Sequence, residues 1–196
     1  MLHNGKIATT TMLKEIGFKG YELSRMVANE EIIREKRGIY RSVTTDYWET
    51  SDLHLVIATV PEAIYCMISA LCLHKYLPDK YFRFEISVPR SLSPSKRKIQ
   101  DIDARYYYVN DSIHQLGKTY CDGIPVYDKE RTVCDWFKHH TRTPDELLEL
   151  ISKKYLSDPD KNIDKLTAYA EQMHLSVAAM KKMNNLILKQ QKTNDM

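Results

Sequence analysis

The chain is short of the residues that would place it in several classes at once. It has only six glycines, four phenylalanines and four cysteines in 196 residues. Scarce glycine beside a 43% hydrophobic share excludes a disordered or low-complexity chain. Cys66, Cys72, Cys121 and Cys134 show no CxxC spacing and fall in helix- or strand-like segments. That argues against a zinc site or a disulfide framework, and for free buried thiols in a reducing cytoplasm. Apolar runs of about 18 residues are missing, so no membrane span is expected. The N-terminus lacks the apolar core of a signal peptide, so export is not expected either. Neither charge sign dominates: 29 basic against 26 acidic side chains leave a net +3. Such a balance permits a nucleic-acid partner without demanding one. A glycine-rich phosphate loop is also absent. What remains is the length for one medium domain, or for a small module joined to a larger one.

Residues 8–41, ATTTMLKEIGFKGYELSRMVANEEIIREKRGIYR, carry the strongest local pattern. Thr9, Thr10 and Thr11 suit a helix N-terminus, and Met12, Leu13 and Ile16 recur at helical spacing. Gly17 supplies the positive φ that ends such a helix. A second helix is expected after Phe18-Lys19-Gly20, with Tyr21, Leu23, Met26 and Val27 as its apolar set. Ile32 and Ile33 open an extended segment that turns at Lys36-Arg37-Gly38 and returns through Ile39 and Tyr40. Helix, turn, helix and basic hairpin is the order of a winged helix-turn-helix, which grips duplex DNA with its second helix and its hairpin. On this reading Lys19, Tyr21, Ser24 and Arg25 face the major groove, while Arg34, Lys36, Arg37 and Arg41 hold the backbone or minor groove. If roughly four to six of these cations touch phosphates, the log–log salt slope of binding is about −4 to −5. The plainer alternative is a solvated surface, because Glu22, Glu30, Glu31 and Glu35 dilute the charge.

Residues 42–51 are polar and turn-prone and form the expected boundary, giving a first domain over 1–45 and a second over 46–196. The second begins with the most apolar stretch, residues 52–77. Pro61 suits the first turn of a helix reaching about Leu77, with Glu62 near its positive end. Ala63, Cys66, Met67, Ala70, Leu71 and His74 would form one face of it. Strands are expected at Phe82–Val88, Arg105–Val109, Ile113–Cys121 and Ile124–Tyr127, as a small antiparallel sheet. The loop after the first of them holds Lys96, Arg97 and Lys98, a phosphate site or, more simply, a solvated loop. Asp128 caps a helix over about 129–139, Thr143-Pro144 opens another, and two more follow near 160–173 and 176–191. The fold class expected is therefore α+β: a winged helix-turn-helix, then a domain with a small sheet and a helical C-terminal half.

Residues that suggest chemistry have bland readings beside them. Arg131 and Asp135 stand four apart on one helix face, the spacing of an ion pair worth about 0.3–0.5 kcal/mol. Ser69 and His74 are five apart, so they project differently and do not make a nucleophile–base pair. His139-His140 with Asp135 lacks the spacing of a metal site. Tyr106-Tyr107-Tyr108 could stack bases, but strand alternation splits them between two faces. A metal-dependent nuclease needs clustered carboxylates with a lysine at strand ends; Glu85 is followed two residues on by Ser87. No enzyme activity, metal or cofactor is expected.

Three segments together resemble the AbiEi family of bacterial abortive-infection antitoxins, and the resemblance covers most of the chain. They are the TT-helix with IGFKGYELSRM and the RGIYR hairpin; PEAIYCMISALCLHKYL, with Ser69, Ala70, Leu71 and His74; and VYDKERTVCDWF, with Asp128, Glu130, Arg131, Thr132 and Asp135. The resemblance implies a cytoplasmic antitoxin that binds double-stranded operator DNA, represses its own operon and opposes a nucleotidyltransferase-like toxin. In the founding systems the two proteins are not thought to form a stable complex; an antitoxin that binds its toxin directly is the alternative, and a nuclease a weaker one. The Ser69, His74, Asp128, Arg131, Thr132 and Asp135 positions are expected to be structural. One departure stands out: only MLHNGKI precedes Ala8, so the usual first helix of the module is short or absent.

Overall fold

A computed structural model describes residues 7–43, 52–92 and 102–194. The described residues fall into two compact units, one from Met1–Ala63 with Leu92–Asp103, the other from Ile64–Ser91 with Ala104–Met196. The sequence places its boundary at 45/46. Residues 44–51 and the triplet Lys96, Arg97 and Lys98 lie outside the described residues.

Unit one opens with a strand, β1 (Ile7–Thr9), that runs straight into α1 (Thr10–Glu15). The Thr9 hydroxyl accepts the Met12 N–H at 3.2 Å and so starts the helix. Gly17, at φ 102°, turns the chain toward α2 (Gly20–Ala28), where the Glu22 carboxylate reaches back to the Lys19 N–H at 2.7 Å. Strands β2 (Ile32–Lys36) and β3 (Ile39–Ser42) then form the hairpin, with Gly38 at φ 82° in its turn. The sheet order is β1-β3-β2, antiparallel throughout. Alternation sends Ala8, Ile32 and Tyr40 to the side where Leu13 and Leu23 complete a small core. Ile7 and Ile39 are buried on the other side. A third helix, α3 (Asp52–Thr59), packs against β1 and buries Val56.

Two expectations change here. Met12 and Ile16, expected on the inner face of the first helix, are 53% and 61% exposed; so short a helix offers the core only Leu13. Strand β1 has no counterpart in the sequence reading, because its ladder partner β3 lies beyond two helices and a strand.

Unit two is built on a five-stranded sheet, β4 (Ile64–Tyr65), β5 (Phe84–Pro89), β6 (Ala104–Val109), β7 (Lys118–Cys121) and β8 (Ile124–Tyr127), in the order β6-β5-β4-β8-β7. Among the expected strands the antiparallel pairing holds for β7–β8, whereas β5–β6 runs parallel; β4, which the sequence reading did not place, pairs antiparallel with β5 and parallel with β8. The helix expected from Pro61 to Leu77 does not form. Proline disfavours helical backbone in the residue before it, and α3 ends at Thr59. Ile64 and Tyr65 are drawn into the sheet, opposite Ser87, Ile86 and Val126. Met67 takes φ 48°, and only α4 (Met67–Leu73) is helical. Likewise the N-terminal part of the strand expected over Ile113–Cys121 is α5 (Asp111–His114) and a turn, and β7 starts at Lys118.

The C-terminal half is helical as expected: α6 (Lys129–Lys138), α7 (Asp145–Leu156), α8 (Ile163–Gln172) and α9 (Val177–Asn194). Asp128 accepts the Arg131 N–H at 2.8 Å and Asn162 the Lys165 N–H at 2.9 Å, each capping its helix. Thr143 does not cap α7; its hydroxyl donates to the His139 carbonyl at 3.0 Å, and Pro144 takes the cap position. Helix α6 is central, packed against α4, α7, α8 and α9. Val133, Cys134 and Phe137 of α6 meet Leu148, Tyr155 and Leu166 in a continuous apolar core.

Candidate functional site

The outer face of α2 follows from helical spacing. Leu23 is buried at 1% exposure and Met26 and Val27 pack beside it, so Tyr21, Ser24, Arg25 and Ala28 must point to solvent, and they do. Ser24 bonds its hydroxyl to the Gly20 carbonyl at 3.1 Å, within the helix. Lys19, at the cap position, is also exposed. Arg34 lies exposed on β2 and Arg37 exposed in the hairpin turn. The described backbone of Lys36 ends β2, and its side chain lies outside the described residues.

The acids that dilute the charge in the sequence are largely engaged. Glu22 caps α2, Glu31 accepts a side-chain hydrogen bond from Asn29 at 3.0 Å, and Glu35 pairs with Arg41. Arg41 is thereby committed to Glu35, on the sheet face opposite Ala8 and Tyr40. Lys19, Arg25, Arg34 and Arg37 have no carboxylate partner among the described residues. Unit one thus offers four uncommitted cations and an exposed tyrosine on α2 and the hairpin.

The DKERT segment in unit two is arranged in the opposite way. Arg131, 1% exposed, is the largest fully buried side chain among the described residues. Its Nε donates to Asp135 Oδ1 at 3.2 Å, its Nη1 to the carbonyls of Ile113 and Leu116 at 2.8 and 3.1 Å, and its guanidinium lies 4.3 Å from the Tyr127 ring centre. Burial pushes the Asp135 carboxyl up, against the pull of the Arg131 charge. The pair expected at surface strength is therefore a buried one, and losing one partner costs about 3–5 kcal/mol. Glu130, also buried, accepts from Tyr155 Oη and Asn162 N at 3.2 and 3.0 Å and meets Lys165 at 3.4 Å. Asp128 takes Tyr169 Oη at 3.2 Å and Lys165 at 3.0 Å besides its cap. Thr132 donates to the Tyr127 carbonyl at 3.3 Å. Gly117, at φ 74°, has no room for a side chain: a Cβ would stand 2.6 Å from that of Arg131.

Ser69 and His74 are likewise engaged with backbone and not with each other. Ser69 donates to the Arg83 carbonyl and accepts the Glu85 N–H at 2.9 Å. His74 Nε2 lies 2.7 Å from the Tyr127 carbonyl, and burial lowers its pKa. Burial pushes the Cys66 thiol well up, away from nucleophilic thiolate. Glu85 accepts Ile68 N–H at 2.8 Å and Tyr107 Oη at 3.1 Å. Among the described residues no group of three His, Cys, Asp or Glu side chains is placed to hold a metal, and no helix is long and apolar enough to cross a membrane.

Sequence reasoning missed a second cationic group. Arg90, Arg105, Lys138 and Arg142 come from four separate segments yet line one cleft of unit two. The only signal for it is positional, since Arg90 follows the last residue of β5 and Arg105 starts the tyrosine run of β6. Tyr106 and Tyr108 stack on each other, 6.4 Å apart at 15°, and Tyr107 turns to the other side, toward His139 at 6.5 Å. Compared with known proteins, the chain matches no family model and no curated protein.

Proposed function

We propose that the chain is a DNA-binding transcriptional repressor of the antitoxin type, with unit one working as a winged helix-turn-helix. The observation that carries this reading is the outer face of α2, with Tyr21, Ser24 and Arg25 opposite buried Leu23 and the uncommitted Lys19 at its start. In this reading α2 enters the major groove with Lys19, Tyr21, Ser24 and Arg25, and Arg34, Lys36 and Arg37 follow the phosphates from the hairpin. Arg41 serves the hairpin by holding Glu35. Helix α3, seated on β1, makes up for the short first helix.

The antitoxin half of the proposal rests on the resemblance of the Ser69–His74 and Asp128–Asp135 segments to the AbiEi family. Their side chains are spent on internal hydrogen bonds, which supports a binding protein over a catalyst. The reading places the chain in the cytoplasm, repressing the operon it shares with a nucleotidyltransferase-like toxin. The test is a gel shift with DNA from upstream of its own reading frame. Wild type should retard it, and Arg25→Glu or Arg37→Glu should weaken binding by about tenfold or more. Equal affinity in both variants removes α2 and the hairpin from the proposal.

A further inference from the structure

Between β6 and the C-terminal end of α6 lies a cleft of about 450 Å³, the size of a small-molecule site. Its charged lining is five cations, Arg90, Arg105, Arg131, Lys138 and Arg142, against the single acid Asp135. Arg131 and Asp135 satisfy each other at 3.2 Å. The other four cations are exposed, and Arg90, Lys138 and Arg142 have no carboxylate partner among the described residues. Arg105 approaches Glu85 only to 3.8 Å, and Glu85 is already held by the Ile68 N–H and the Tyr107 hydroxyl. The carbonyls at the end of α6, which would repel an anion, are partly occupied: His139 N–H takes that of Trp136 and the His140 ring that of Phe137, at 3.1 and 3.0 Å.

Four exposed cations, from the residue after β5, from β6, from α6 and from the turn at His140–Arg142, line one concavity and make it favourable to an anion. Arginine-rich concave sites suit phosphoryl groups, whose oxygens accept two N–H bonds at a time. We propose that this cleft binds a small ligand carrying two or more phosphoryl groups, the chemistry shared by nucleoside polyphosphates and inorganic polyphosphate. Tyr107, with the Arg105 guanidinium 5.4 Å from its ring centre and His139 tilted against it at 6.5 Å, lines the same cleft. The site lies within unit two, so it stands or falls independently of the DNA reading.

Calorimetry of the full chain with ATP and with inorganic triphosphate at low salt tests this. Both should bind, and Arg105→Glu/Arg142→Glu should weaken them by about tenfold or more, while Lys153→Glu on the exposed side of α7 leaves them unchanged. Tighter binding of ATP assigns the site to nucleotides; equal binding assigns it to the phosphates alone. No heat up to about 1 mM ligand overturns the proposal, as does equal loss in Lys153→Glu. Loss in Arg25→Glu instead places the anion on α2, which also overturns it. A single-stranded oligonucleotide that binds and is not displaced by triphosphate replaces it with a nucleic-acid site.

Discussion

In unit two Arg131 is shut inside, its N–H groups given to Asp135 and two carbonyls and its face to Tyr127, while in unit one Arg25, Arg34 and Arg37 stand exposed with no carboxylate partner among the described residues. The acids divide in the same manner. Glu130 and Asp135 are buried and wired into helices, whereas Glu22, Glu31 and Glu35 are tied locally near the surface, which leaves the neighbouring cations free. The contrast teaches where to look for function in this chain. A charge whose partners are all internal specifies the fold; a charge without partners is available to a ligand.

The largest effect expected from that contrast is on stability. Arg131→Ala strips Asp135 of its partner and leaves the Ile113 and Leu116 carbonyls unsatisfied, so urea unfolding should register a loss of about 3–5 kcal/mol. A loss below about 1 kcal/mol would place Arg131 with the surface arginines and break the comparison. Next comes Gly117→Ala, which combines a left-handed backbone with a 2.6 Å approach to Arg131 and should cost about 2–3 kcal/mol in the same assay. Arg25→Ala and Arg37→Ala should do the reverse: stability within about 0.5 kcal/mol of wild type, and DNA affinity lower by about 1–3 kcal/mol in fluorescence anisotropy.

The smallest effect is one of pH. Burial lowers the pKa of His74 and of His114, so the unfolded chain takes up protons before the folded one does. Their contribution to stability is complete above about pH 6.5 and is lost as pH falls toward the folded values. The melting temperature should therefore drop between pH 7.5 and 5.5. His74→Gln should flatten that drop, and an unchanged slope would detach His74 from it.

Much of this was legible where the cause is local. Thr9, Asp128 and the two glycines at 17 and 38 announce helix starts, a helix end and the hairpin turn, because capping and positive φ are properties of single residues. The Arg131–Asp135 spacing likewise announced the pair. Its burial was not legible, since periodicity marks apolar faces and carries no sign that an arginine will be enclosed by Tyr127 and two carbonyls from other segments. Strand β1, the parallel β5–β6 pairing and the collapse of the Pro61 helix into β4 and α4 all depend on partners distant in sequence. For the same reason α2 and the hairpin were readable as a candidate site, whereas the Arg90–Arg142 cleft, assembled from four segments, was not.

The central claim is that four cations on α2 and the hairpin are free for phosphates, and the salt dependence of binding to a short duplex measures it most directly. The affinity should fall with a log–log slope of about −4, and Arg25→Ala or Arg37→Ala should each reduce that slope by about one. A slope near zero, or one that neither substitution alters, would contradict the account.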